Sequence, residues 1–182
     1  MKKKLFLSIS IVFIAFTSVF SQGFTKPAEG KSVIYIIHKT VGFSTNMIFD
    51  GNQFIGNLKT SEYMRYECDQ GKHIFIGAIG VNKDFFTADF EVGKIYIIRM
   101  RSQSKLGGTT PYFVKIDLTN TKKMAKYIEF VNSKAPAVTD VKKIKKWNKK
   151  WKKLMQKALA KYESKWKHKR KYVHISKDMN YK

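Results

Sequence analysis

Covalent or acid–base chemistry in this chain would have to come from four histidines, one cysteine and thirteen carboxylates. The histidines are His38, His73, His168 and His174; none forms an HExxH pair, and no two Cys or His residues stand at zinc-site spacing. The chain has no G-x-S-x-G nucleophile elbow, no phosphate-loop G-x-x-x-x-G-K-[ST] and no G-x-G-x-x-G dinucleotide fingerprint. The sequence therefore implies no metal, no cofactor and no catalytic residue, and the chain reads as a non-enzyme. One competing reading stands: an extracytoplasmic hydrolase whose site folds together from His38, His73 and carboxylates such as Asp50, Asp84 and Asp89. Cys68 alternates with Met64 and Tyr66 in YMRYEC, which turns it inward as an inert, buried thiol. With one cysteine no intrachain disulfide can form.

The second kind of chemistry is charge. Between Lys142 and Lys171 stand fifteen Lys or Arg against one acid, Glu163, with three tryptophans among them. Such a segment suits an anionic surface, and the residues expected to meet it are Lys142, Lys143, Lys145, Lys146, Trp147, Lys149, Lys150, Trp151, Lys152, Lys153, Lys157 and Trp166. The tryptophans would sit at the interface and the lysines on the anions. The same stripe of tryptophans can instead pack on the rest of the protein or on a second copy. A non-specific nucleic-acid binder is a further alternative, because lysine-rich helices bind phosphate without reading bases.

Both sets of residues need elements to position them. Ile144, Trp147, Trp151, Leu154, Ala158, Tyr162 and Trp166 recur every three or four residues, which aligns them along one side of a helix capped by Thr139 or Asp140. Nine pairs of basic residues lie four apart on that helix. At roughly 0.2–0.5 kcal/mol per like-charged pair, their repulsion amounts to about 2–4 kcal/mol, which contact with something else must offset. A shorter helix is expected from Thr121 to Val131, and Pro136 separates the two.

Upstream, eight runs read as strands: 32–39, 46–50, 53–59, 63–68, 73–78, 85–92, 94–101 and 112–118. In FFTADFEV the residues Phe86, Ala88, Phe90 and Val92 share one face, as in a half-buried strand. SVIYIIHK and KIYIIRM are apolar on both faces, which assigns them to the centre of a sheet. The fold class is mainly β: a small antiparallel sandwich or open barrel followed by C-terminal α-helices. Residues 22–118 carry twelve basic and nine acidic side chains through Asp117, whereas residues 119–182 hold the basic run, so charge divides the chain into a β-domain and a cationic appendage. On that division a chain lacking residues 140–182 keeps a folded β-domain and loses anionic binding.

The first residues set the compartment. MKKKLFLSISIVFIAFTSVFSQ has the layout of a cleaved secretory leader over residues 1–21: three lysines, an apolar run from Leu5 to Phe20, then Ser21. Its removal leaves 161 residues with a formal charge of +20. An exported protein, whether periplasmic, envelope-associated or secreted, meets anionic membrane, lipopolysaccharide or another polyanion, or a protein partner, before it meets nucleic acid.

One segment has a familiar order: FDGNQFIGNLKTSEYMRYECDQGKHIFIGA followed by FEVGKIYIIRM. Through Asp50, Gly51, Gly56, Gly71, His73, Gly93 and Tyr96, the stretch from Lys31 to Leu118 resembles the exported bacterial family known as domain of unknown function 2846, and more broadly the PEGA-type surface modules. The resemblance implies an antiparallel β-domain outside the cytoplasm, without established catalysis, and carries over no functional residue. Members are often lipoproteins; here Ser21-Gln22 stand where the lipidated cysteine would be, and the basic tail lies outside the likeness.

Overall fold

The computed structural model describes residues 23–182 apart from positions 41 and 107. The expected leader over residues 1–21 lies outside the described residues. Nine strands form two open sheets that pack face to face. They are β1 (Ser32–His38), β2 (Thr45–Asp50), β3 (Gln53–Lys59), β4 (Glu62–Cys68), β5 (Gly71–Ile79), β6 (Asn82–Phe90), β7 (Ile95–Lys105), β8 (Gly108–Lys115) and β9 (Val173–Ile175), with helices α1 (Thr121–Asn132) and α2 (Val141–Ser164) before β9. The strand orders are β4-β1-β7-β8 and β3-β2-β5-β6-β9.

The expected sandwich is the observed architecture. Each sheet also contains one parallel pair, β1 with β7 and β6 with β9, so the sheets are mixed. β1 and β7, apolar on both faces, are the two inner strands of their sheet as expected. Ile34 and Ile36 of β1 point into the space between the sheets, while Val33, Tyr35 and Ile37 point out under α1.

Two outer faces need covers, and the helices supply them. Met124, Phe130 and Val131 of α1 bury against the β1 face, together with Phe24 from the entering chain. The side chain of Asn120 caps α1 by accepting from the Lys123 N–H at 3.0 Å. The connector then rounds the edges of the sandwich: Ala137 N–H donates to the Tyr63 carbonyl on β4 at 2.7 Å, and Thr139 Oγ1 accepts from Asn57 N–H on β3 at 3.0 Å. Both β4 and β3 are edge strands, so this chain also shields exposed ladders. Asp140 caps α2, its carboxylate accepting from the N–H groups of Lys142 and Lys143 at 2.9 and 3.1 Å.

α2 lies on the outer face of the five-stranded sheet, over Phe49, Phe54, Ile76 and Phe85. Met155, at 1% exposure, is the buried residue of its central turn, whereas Leu154 is 42% exposed. The expected stripe is therefore corrected at one member: Met155 replaces Leu154, its flexible side chain filling the gap over the sheet, while Ile144, Trp147, Trp151, Ala158, Tyr162 and Trp166 keep the expected side. Trp147 stacks on Phe54 with ring centroids 5.3 Å apart, and Tyr162 stacks on Phe85 at 4.9 Å. The Asn148 amide accepts from Phe54 N–H at 2.6 Å and donates to Phe54 C=O at 3.3 Å, which pairs the helix with the edge strand.

These contacts decide the energetics of the basic helix. Burial of Met155 is worth about 1.5–3 kcal/mol. Each aromatic pair adds about 0.5–1.5 kcal/mol beyond its area, and the Phe54 bonds add about 1 kcal/mol apiece. Together they exceed the roughly 2–4 kcal/mol of lysine repulsion.

Packing therefore crosses the charge boundary. Residues after 119 cover both sheets and add β9, and Tyr181 N–H donates to the Ile95 carbonyl at 2.7 Å.

Candidate anion-binding face

With Ile144, Trp147, Trp151, Met155 and Ala158 against the sheet, 3.6 residues per turn put Lys142, Lys146, Lys149, Lys153 and Lys157 on the opposite side, about 22 Å from end to end. All five are exposed. Lys143, Lys145, Lys150 and Lys152 are exposed on the flanks. Lys143 Nζ lies 5.9 Å from the Trp147 ring centroid and Lys150 Nζ 5.3 Å from that of Trp151. From Lys142 to Lys171, the salt bridges among the described residues are Lys167 with Glu163 and Arg170 with Asp84. The five ridge lysines thus carry no acidic partner among the described residues. Basicity extends onto the sheet, where burial first and the Lys161 ammonium second lower the Lys83 pKa.

The expected site residues separate into two sets. Lys142, Lys143, Lys145, Lys146, Lys149, Lys150, Lys152, Lys153 and Lys157 are displayed together. Trp147, Trp151 and Trp166 are half-buried and packed towards the sheet, Trp166 against Phe85 at 5.6 Å, so their rings hold the helix in place rather than line an outer interface.

The hydrolase candidates are also located. His38 and His73 sit on the inner face of the sandwich at opposite ends, and β2 reaches both, with Asn46 beside His38 and Asp50 beside His73. His38 is fully buried. Its Nδ1 is 3.3 Å from Asn46 Nδ2 and its Nε2 3.2 Å from Ser102 Oγ. Both ring nitrogens are thus engaged by side chains inside the sandwich, and the ring has no exposed edge. Burial lowers the His38 pKa, consistent with a neutral ring. The neighbouring groove, about 310 Å³, is lined by Phe43, Ser44, Thr45, Lys59 and Thr60 and includes neither His38 nor Ser102.

At the other end, His73 Nδ1–H donates to Asp50 at 2.9 Å and Nε2–H to the Asp69 carbonyl at 3.1 Å. Tyr66 OH donates to the same Asp50 carboxylate at 3.2 Å. Both ring nitrogens face acceptors, which only the imidazolium satisfies, and the Asp50 hydrogen bond is the leading cause of a raised His73 pKa. Burial, then the Asp50 carboxylate, push the Tyr66 phenol up, and the Cys68 thiol is pushed up to about 12 by the same two causes. These groups tie strands together and offer no free base. Asp84 instead accepts from Phe113 N–H at 2.8 Å and pairs with Arg170, and Asp89 lies opposite Lys72, so the three candidate carboxylates do not converge.

The His73 pair has a pH signature. A raised folded pKa stabilises the fold fully below the unfolded value of about 6.5, and that contribution disappears as pH rises through the folded value. Denaturation midpoints of the wild type should fall across that window relative to those of His73→Gln, which lacks the titration. Parallel pH profiles for the two proteins would show that the His73–Asp50 pair does not couple to folding.

Sequence alone missed Met155, Asn148 and β9. Asn148 had a signal, as the one uncharged polar residue within KKWNKKWKK; the other two had none distinct from their neighbours. Among the described residues, no helix is long and apolar enough to cross a membrane. Compared with protein-family models, with curated proteins and with solved structures, the chain finds no match.

Proposed function

We propose that this chain is an exported, non-enzymatic β-sandwich protein whose α2 ridge holds it against an anionic membrane surface of the cell envelope. The observation that carries the reading is the ridge itself: five lysines in line, turned away from the sheet and without acidic partners among the described residues. The three-part N-terminal sequence supports export, and the likeness of the turn pattern to an exported β-domain family belongs to the same proposal.

The mechanism is electrostatic. A lysine near an anionic bilayer contributes about 1 kcal/mol, over a range set by a Debye length of about 8 Å at physiological salt. A ridge of about 22 Å on a helix already docked engages several headgroups at once with little ordering cost. With the tryptophans facing inward, attachment rests on charge and is reversible by salt.

Substituting Lys142, Lys146, Lys149, Lys153 and Lys157 by Gln tests this. The wild type should sediment with phosphatidylcholine vesicles containing phosphatidylglycerol at low ionic strength, release as salt rises, and ignore pure phosphatidylcholine. The five-fold variant should lose about 100-fold or more in affinity while its melting temperature holds or rises. Equal retention of both proteins would remove the ridge from the reading. Tighter wild-type binding to duplex DNA than to anionic vesicles at matched salt would assign the ridge to nucleic acid.

A further inference from the structure

Beyond the ridge, the chain leaves α2 through a 3-10 turn, Trp166–His168, and runs to β9. Lys167–Lys171 line one side of a shallow, open surface depression of about 490 Å³, completed by Thr87, Tyr162 and Tyr172. The volume falls in the range of small-molecule sites, about 300–1,000 Å³. The segment is held from below. Trp166 and Tyr172 pack against Phe85, and the Arg170 guanidinium pairs with Asp84 while lying 4.3 Å from the Tyr172 ring centroid.

The charges in this cup do not cancel. Glu163 engages Lys167 at 2.6 Å and Asp84 engages Arg170, but Lys169 and Lys171 have no carboxylate partner among the described residues. Two unopposed ammonium groups match one phosphomonoester, which carries about −1.5 to −2 at neutral pH, better than they match a singly charged carboxylate or phosphodiester. Arg170, its charge already met by Asp84 and its guanidinium laid over the Tyr172 ring, braces the segment that carries the two lysines.

We propose that the cup formed by Lys167–Lys171 is a discrete binding site for a phosphomonoester group, with Lys169 and Lys171 as its principal cationic contacts. The proposal rests on the reading of the basic region as an anion-facing surface, but it concerns a different set of residues from the ridge.

The test is a titration of full-length protein with inorganic phosphate, followed by amide chemical shifts at constant ionic strength, with chloride as control. Saturable shifts are expected within residues 167–172. Lys169→Gln with Lys171→Gln should weaken them by about tenfold or more, and the five-lysine ridge variant should leave them unchanged. Shifts that grow linearly, match chloride, or spread equally over all the lysines would overturn the site. A second arm compares vesicles bearing phosphatidic acid with vesicles of equal charge bearing phosphatidylglycerol. A preference for phosphatidic acid that the cup variant abolishes identifies a lipid source, and phosphate saturation without that preference identifies a soluble phosphomonoester. Loss of vesicle binding in the ridge variant alone, with the phosphate shifts intact, separates the two proposals.

Discussion

A chain ended after Ala137 is expected to lose its cooperative fold rather than merely its charge. Removal of α2 uncovers Phe49, Phe54, Ile76 and Phe85, each at most 1% exposed in the complete protein. At about 1.5–3 kcal/mol per large apolar side chain, that is roughly 6–12 kcal/mol, as large as the whole stability of a typical domain, about 5–15 kcal/mol. The same cut deletes β9, with Ile175 at 2% exposure, and takes Arg170 from Asp84. Near-ultraviolet circular dichroism through a thermal ramp should show no sharp transition, and the truncated protein should bind a hydrophobic dye. A cooperative melt within a few degrees of the full-length protein would show that the helix is an accessory. The outcome expected here is the opposite of what the charge division alone suggests, and it is why point substitutions, not truncation, are the proper test of the ridge.

The second large effect lies between the sheets. Phe75 is fully buried and stacks on Phe86 with centroids 4.6 Å apart and ring planes 5° from parallel. Tyr66 meets it edge-on at 6.1 Å, and the His73 ring stacks at 5.9 Å. Two residues on, a Cβ at Gly77 would stand 2.4 Å from Met100 Cε and 2.9 Å from Phe113 Cζ, so the neighbouring space is already filled from the opposite sheet. Such a site collapses poorly around a deletion. Phe75→Ala should cost about 3–5 kcal/mol in chemical denaturation, and Phe43→Ala, at a fully exposed ring, should stay within about 0.5 kcal/mol. Comparable losses from the two substitutions would contradict the packing described.

Much of this architecture was legible because it is written locally. Alternation in FFTADFEV and the double-sided apolarity of SVIYIIHK are consequences of the two-residue strand period, and both appear in the fold, with Phe86, Ala88 and Phe90 inside, except that Val92, expected on the same face, lies beyond the end of β6 and is exposed. The Asp50-Gly51 turn was legible for the same reason, since its two-residue reversal needs the left-handed backbone that Gly51 adopts at φ 56°. QFIGNLK marks where local rules stop. Its alternation puts Phe54 and Leu58 on one face, yet the β2–β3 register shifts between Ile48 and Phe49, so Phe54 turns out under Trp147 while Leu58 stays between the sheets. A bulge of this kind depends on what each face must cover, which neighbours in sequence do not state.

The candidate site divides along the same line. A periodic helix, an N-cap at Thr139 or Asp140 and a continuous excess of lysine are properties of about two dozen consecutive residues, and these sequence alone determined; the structure chose Asp140. Whether the apolar stripe faces water, a membrane or the protein's own sheet depends on residues about 60–110 positions away, such as Phe54 and Phe85, and only the tertiary structure decided that. It likewise paired His73 with Asp50 and Arg170 with Asp84, 23 and 86 residues apart. The physical reason is range: backbone periodicity and charge density act within a turn or two, whereas burial is shared among segments that meet only after the chain has closed its loops.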